Sequence, residues 1–110
     1  MRILFDQGTP VPLRNYISGH VVSTAYEQRW SALSNGELLR AAENAGFDLL
    51  VTTDQNLRYQ QNLATRRIAI LVLRSTSWPR IRLHVALICA QIDLVKPGDY
   101  IEVDIPAHGS

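Results

Sequence analysis

Short apolar runs that alternate with helix-like stretches are the feature that most constrains the fold of this 110-residue chain. Runs of four to six residues bounded by polar residues are typical of strands buried in a parallel sheet. Alternation of such strands with helices predicts helices on both faces of the sheet, in right-handed crossovers. We therefore expect an α/β fold, a single-domain three-layer α/β/α sandwich with a mostly parallel sheet. The predicted strands cover residues 2–6, 20–25, 48–53, 68–73 and 100–105.

Signals for helix ends divide the segments between these strands. Ser34 and Glu37 have the spacing of a capping box, and Gly46 closes the helix that follows. Asp54 is the predicted N-cap of a polar helix, and Pro79 opens the longest helix. The predicted helices are a short one around Leu13 and Ile17, one from Ser34 to Gly46, one over 55–65 and one over 79–95 with the apolar stripe Ile81, Val85, Ile88, Ile92 and Val95.

Composition and length predict one globular domain. Hydrophobic residues make up 46% of the chain and charged residues 19%, which is typical of a folded protein. We expect a domain over 1–106 and a flexible tail over 107–110. A net charge of +1 gives no general attraction to nucleic acid.

The single cysteine and the N-terminal segment indicate a cytoplasmic protein. Cys89 has no partner for an internal disulfide, which fits a reducing compartment. The N-terminal residues lack the basic and apolar regions of a signal peptide. No apolar run approaches the ~20 residues of a membrane span, so we expect no association with a membrane.

Two aspartates stand at the ends of predicted strands. Asp6 follows the first apolar run and Asp54 follows the third. Because parallel strands end on one edge of a sheet, and ligands bind outside that edge, the two carboxylates are expected to converge there. Paired carboxylates repel each other unless a cation or donor compensates, which predicts a divalent cation site. Glu37 would join them if its loop wraps back over the same edge.

Carboxylate-bound cations support phosphodiester hydrolysis. Two cations ~4 Å apart polarise the phosphodiester, generate hydroxide and stabilise the leaving oxygen. This chemistry needs no histidine or cysteine nucleophile. His20, His84 and His108 are scattered without the spacing of metal ligands, and we interpret them as ordinary residues.

Residues next to Asp54 are candidates for substrate binding. Thr53 would place a hydroxyl beside the site, and Asn56 would add an amide. Arg58 would hold a phosphate and Tyr59 would stack on a base. An exposed polar helix face explains the same residues equally well.

Each acid also has a purely structural interpretation. Asp54 alone would be a helix N-cap, worth ~1 kcal/mol. Glu37 alone would be the capping-box partner of Ser34, and Asp6 alone would order the following turn. Asp93 would be a fourth acid only if the last helix ran along the site.

Several motifs resemble those of a known family. These motifs are Ile3-Leu4-Phe5-Asp6, Asn35-Gly36-Glu37-Leu38-Leu39, Leu50-Val51-Thr52-Thr53-Asp54-Gln55-Asn56-Leu57, Ser77-Trp78-Pro79 and Pro97-Gly98-Asp99-Tyr100. Together they resemble the PIN-like proteins of the DUF5615 family, short bacterial relatives of the PIN ribonucleases, which include the VapC-type toxins. The segments around Asp54 are the most specific.

The resemblance implies a metal-dependent endoribonuclease with Mg²⁺ or Mn²⁺ as cofactor. Its catalytic and metal-binding acids would be Asp6, Glu37 and Asp54. It also implies an RNA substrate and a small antitoxin protein as partner. The chain departs from the pattern at Gln7-Gly8, where relatives carry Glu-Asn, and it has no match for a fourth acid.

Other functions fit the same residues. One is a non-catalytic module whose acidic pocket docks an arginine of a partner. Another is a receiver-like phosphoacceptor domain with Asp54 after its third strand, although Asp6 has no acidic neighbour and Lys96 precedes the last strand. The apolar strand from Tyr100 to Val103, with Trp30 or Trp78, is a candidate patch for homodimerisation.

Overall fold

The computed structural model describes residues 1–57 and 66–107. Within these residues the sheet has five strands, each one to two residues shorter than predicted: β1 (Arg2–Phe5), β2 (Val21–Thr24), β3 (Leu49–Thr52), β4 (Ala69–Leu73) and β5 (Tyr100–Val103). The helices are a 3₁₀ helix (Val11–Tyr16), α1 (Asn35–Asn44), α2 (Trp78–Arg82) and α3 (Val85–Leu94).

All five strands are parallel, in the order β2-β1-β3-β4-β5. The chain passes from β1 to β2 on one side of β1 and then returns to β3 on its other side. The crossover direction therefore reverses between β1 and β3, which makes this gap the topological switch point of the sheet. The predicted α/β fold with a largely parallel sheet is confirmed.

Side chains on the strands alternate between two apolar clusters, one on each face of the sheet. Ile3 and Phe5 of β1 pack in one cluster with the 3₁₀ helix, α2 and α3, while Leu4 packs in the other with α1. The same alternation runs through β3 and β4, whose residues are all buried. Burial on both faces confirms the three-layer arrangement and explains why these strands read as continuous apolar runs.

The capping box predicted at the start of α1 is present. The Ser34 hydroxyl accepts a hydrogen bond from the Glu37 backbone N–H, and the Glu37 carboxylate accepts one from the Ser34 backbone N–H. After α1 ends, Gly46 has a φ of +86°, a left-handed conformation that glycine adopts without steric cost. Both ends of this helix were therefore readable from sequence.

The prediction of one long helix over 79–95 was wrong, because that segment forms α2 and α3 with a break at Leu83 and His84. Both residues donate backbone hydrogen bonds to carbonyls three residues earlier, Leu83 to Arg80 and His84 to Ile81, which tightens the turn. The His84 ring also lies 2.9 Å from the carbonyl oxygen of Pro106. The apolar stripe survives the break, with Ile81, Ile88 and Ile92 fully buried.

The first predicted helix is a 3₁₀ helix over Val11–Tyr16, in which the Leu13 backbone N–H donates to the Pro10 carbonyl three residues earlier. Most of the predicted helix over 55–65 lies outside the described residues, as does the end of the predicted tail. Across residues 1–57 and 66–107, no helix has both the length and the apolar character to cross a membrane.

Candidate active site

Asp6 and Asp54 lie at the carboxyl ends of two neighbouring strands, on either side of the switch point. Asp6 directly follows β1, and its backbone N–H donates to the Val51 carbonyl of β3 at 3.1 Å. Asp54 stands two residues beyond the end of β3. The topology therefore brings the two predicted acids to one place on the sheet edge.

Two buried threonine hydroxyls hold the Asp6 carboxylate. Thr9 Oγ1 donates to Asp6 Oδ1 at 2.7 Å, and Thr52 Oγ1 donates to Asp6 Oδ2. Thr9 is 3% exposed and Thr52 is 1% exposed. Since a carboxylate oxygen accepts two hydrogen bonds, each oxygen of Asp6 keeps acceptor capacity for a further group.

Hydrogen bonds hold both the backbone and the side chain of Asp54. Its backbone N–H donates to Thr52 Oγ1 at 3.0 Å, its Oδ1 accepts from the Asn56 backbone N–H at 3.0 Å, and its Oδ2 accepts from the Asn35 side-chain amide. Thr52 therefore touches both aspartates at once. The result is a hydrogen-bonded chain of side chains that runs from Asp6 through Thr52 and Asp54 to Asn35.

Asn35 enters the site because it is the first residue of α1, whose amino end faces the carboxyl edge of the sheet. Glu37, one of the three predicted ligands, is not joined to the two aspartates. Its exposed carboxylate accepts from the Ser34 backbone N–H at 2.9 Å. This bond and the Ser34 hydroxyl hold the pKa of Glu37 below its ordinary value.

In the described parts of the chain, no three His, Cys, Asp or Glu side chains lie together as a metal-binding group. The oxygen atoms at this edge that could ligate a metal ion are the carboxylates of Asp6 and Asp54 and the amide oxygen of Asn35. Oxygen ligands suit Mg²⁺ and Mn²⁺, and Mg²⁺ is commonly held by one or two carboxylates, waters and a substrate phosphate. The pair Asp6 and Asp54 fits such a site.

Gly8 lets the loop after β1 pass close to β3. A Cβ atom placed on Gly8 would stand 2.7 Å from Thr53 Oγ1, closer than such atoms approach each other, and 3.8 Å from Asp6 Oδ1. A larger residue would therefore displace the Thr53 side chain, which is stiff because it is β-branched. The absence of a side chain at residue 8 thus has a steric reason in this chain.

The predicted substrate-binding residues divide in two groups. Thr53 lies at the site beside Gly8, and Asn56 is exposed with its backbone N–H on Asp54. Arg58 and Tyr59 lie outside the described residues.

One cationic residue of the edge was missed. Arg74 follows β4, with Nε 3.4 Å from Gln55 Oε1 and a terminal nitrogen 3.0 Å from Asp104 Oδ1. Arg74 directly follows a predicted strand. The rule that ligands bind beyond the carboxyl ends of parallel strands identified Asp6, and it would also have identified Arg74.

His20 and Asp93 stand away from this edge. The His20 ring, just before β2, lies 2.8 Å from Asp93 Oδ1 and near the Met1 amino group, at the amino ends of the strands. His84 lies against Pro106, and His108 is outside the described residues. Asp93 therefore does not supply a fourth acid at the carboxyl edge.

Comparison of the chain with protein-family models, with curated proteins and with solved structures found no match. A parallel α/β sheet alone does not define an activity, because such folds carry many unrelated functions. The function is therefore argued from the chemistry of the edge residues.

Proposed function

We propose that this protein is a metal-dependent ribonuclease of the PIN-like kind. The observation that carries the proposal is the pair of carboxylates at the switch point, with Thr52 hydrogen-bonded to both Asp6 and Asp54. Ligands of open α/β sheets bind at this place. In the described part of the chain neither carboxylate forms an ion pair with another residue.

Each edge residue has a role in this proposal. Asp6 and Asp54 would hold Mg²⁺ or Mn²⁺, with the amide oxygen of Asn35 directed to the ion or to a bound water. The cation, when bound, polarises a phosphoryl oxygen and lowers the pKa of a bound water. Thr9 and Thr52 keep the Asp6 carboxylate in one orientation, so no reorganisation is needed when substrate arrives.

Arg74 would bind a phosphate oxygen of the substrate. Its ion pair with Asp104 is exposed, with about half of the arginine side chain accessible to solvent, and such pairs contribute little to stability. The guanidinium can therefore leave Asp104 for a phosphate at small cost, and its planar donors match phosphate geometry. The finer proposal that the chain is a toxin with a small antitoxin partner rests on the resemblance alone.

A cleavage assay tests the proposal. A labelled single-stranded RNA is incubated with Mn²⁺ and the wild type, Asp54→Asn or Asp48→Asn. Asp48 precedes β3 at the opposite edge, where it accepts from the Arg2 backbone N–H, so Asp48→Asn is the matched control. We expect Asp54→Asn to lose more than the roughly 10–100-fold typical of residues around a metal ligand. Equal cleavage by Asp54→Asn and the wild type would exclude the proposal.

A receiver-like phosphoacceptor is a second candidate, favoured by the strand order. The order β2-β1-β3-β4-β5 is that of flavodoxin-like and receiver folds, and Asp54 follows β3. Incubation with a small phosphodonor followed by intact mass measurement separates the two. Addition of one phosphoryl group, absent in Asp54→Asn, would support the receiver.

A docking module is tested by the same proteins. If the acidic pair binds a partner's arginine instead of a cation, a basic peptide will raise thermal stability and Mn²⁺ will not. The nuclease proposal expects the reverse.

A further inference from the structure

A small cavity adjoins the acidic pair. It encloses about 210 Å³ and lies between the loop after β1 and the amino end of α1. Asp6 and Asn35 belong both to its wall and to the hydrogen-bonded site. A ligand in this cavity would therefore touch the candidate active site directly.

One wall of the cavity is aromatic. The half-buried indole of Trp30 lines it, and Leu33 and Leu38 add apolar surface. The Trp30 ring packs edge-on against Phe47, with ring centroids 6.0 Å apart and an interplanar angle of 74°. Because Phe47 is buried, this contact fixes the indole before any ligand binds. A held aromatic ring beside apolar side chains suits the flat face of another ring.

Polar side chains also line the cavity. Gln7, Ser31 and Asn35 line the same cavity. Amide and hydroxyl groups offer both donors and acceptors, which match the edge of a nucleobase. Gly8 also lines the cavity.

The volume limits the ligand. At about 210 Å³ the cavity is smaller than the ~300–1,000 Å³ of sites that enclose a drug-sized molecule. It therefore suits a single planar ring system and not a whole dinucleotide. The rest of such a ligand, including its charged backbone, would lie outside, towards Asp6.

We propose that this cavity binds one unstacked nucleobase of a single-stranded nucleic acid, with the base against Trp30 and its phosphate at Asp6 and Asp54. The position of the phosphate rests on the proposed nuclease function, whereas base binding is measurable without cleavage. A paired base inside a duplex cannot enter unless it leaves the stack. The substrate class is thus single-stranded RNA with an accessible base beside the reacting phosphodiester.

Fluorescence of Trp30 tests this assignment. The chain has two tryptophans, so Trp78→Phe makes Trp30 the only reporter and keeps an aromatic ring against Tyr16. The variant is titrated in Ca²⁺, a cation that takes oxygen ligands, with oligouridylate and with an abasic phosphodiester oligomer of equal length, and the oligomers are checked for cleavage after each titration. We expect saturable quenching by oligouridylate and roughly 5- to 150-fold weaker binding of the abasic oligomer, the range that stacking of one base supplies.

A second comparison keeps the test valid if Trp78→Phe does not fold. Wild type and Trp30→Phe are then titrated in parallel, and their fluorescence difference reports on Trp30.

Gln7→Ala should weaken oligouridylate binding and leave the binding of the abasic oligomer unaffected, because only the base reaches the Gln7 amide. Equal affinity for both oligomers, or no quenching of Trp30 while RNA is still cleaved, would overturn the base site and leave the nuclease proposal standing. Base binding in a protein that cleaves no RNA would support the base site and overturn the nuclease proposal.

Discussion

At the scale of single residues, the hydroxyl of Thr52 links the two aspartates. It donates its one proton to Asp6 and accepts the backbone N–H of Asp54 at 3.0 Å. Thr52 is buried, and its side chain lies on the same face of β3 as Leu50 by strand alternation. A buried polar group left without its partner costs ~1–3 kcal/mol, so this one oxygen stabilises the site as well as shaping it.

Thr52→Val removes the hydroxyl and keeps the shape of the side chain. We expect a loss of ~1–3 kcal/mol in the free energy of unfolding, measured by urea denaturation, together with weaker binding of Mn²⁺. Thr24→Val is the matched control, since Thr24 is also a buried strand threonine and its hydroxyl accepts from the Glu27 backbone N–H. Thr24→Val should be destabilised with unchanged Mn²⁺ affinity. Unchanged Mn²⁺ affinity in Thr52→Val would show that Thr52 does not position Asp6.

At the scale of elements, the start of α1 decides which of its residues reaches the site. The capping box occupies Glu37 with the Ser34 backbone, while Asn35 at the first helical position reaches Asp54. Glutamine serves in a capping box as well as glutamate does. Glu37→Gln therefore separates the capping role of residue 37 from its charge.

We expect Glu37→Gln to bind Mn²⁺ with the affinity of the wild type, as measured by calorimetry. Asn35→Ala should weaken binding by roughly 10–100-fold, the range for groups that orient a metal ligand. If Glu37→Gln lost Mn²⁺ binding and Asn35→Ala kept it, the triad of Asp6, Glu37 and Asp54 that the sequence predicts would be favoured instead.

The other end of α1 is tied to β4 by a carboxylate. Glu43 Oε2 accepts from the backbone N–H groups of Arg67 at 2.8 Å and Ile68 at 3.1 Å. The Ile68 bond and then the Arg67 bond lower the pKa of Glu43 from 4.5. Because the pKa is lower in the folded state, the stabilisation is present above about pH 4.5 and is lost as pH falls through the folded pKa.

Glu43→Gln keeps an acceptor oxygen and removes the titration. We expect the free energy of unfolding of the wild type to fall more steeply than that of Glu43→Gln when pH is lowered from 6 to 3, measured by urea denaturation at each pH. Glu27 and Glu37, whose pKa values are also lowered, titrate in both proteins and cancel in the comparison. Parallel pH profiles would show that Glu43 does not tie α1 to β4.

At the scale of the whole molecule, the parallel sheet and the position of the two aspartates at its edge were predictable because both follow from the alternation of apolar strands with helices. Buried parallel strands read as apolar runs, and their ends share an edge. Asp6 and Asp54 were therefore placed correctly at that edge without knowledge of the strand order. The order of the strands in the sheet was not predictable from the sequence, since a crossover connection can place the next strand on either side of the strand before it.

The remainder of the site was hidden because it depends on side-chain direction. The contacts of Thr9 and Thr52 with Asp6 and of Asn35 with Asp54 have no signal in the spacing of residues along the sequence. Only the packing of α1 over the edge brings Asn35 to Asp54. The break between α2 and α3 was hidden for a similar reason, because the apolar stripe from Ile81 to Ile92 continues through it.

The central claim is that the switch point of this sheet binds a divalent cation, and Mn²⁺-dependent thermal stability tests it most directly. A ligand that binds only the folded state stabilises it by ~2.7 kcal/mol at a hundred times its dissociation constant. We predict that Mn²⁺ raises the unfolding midpoint of the wild type and of the control Asp48→Asn, but not that of the double variant Asp6→Asn/Asp54→Asn. An equal rise in the double variant, or no rise in the wild type, would contradict the account.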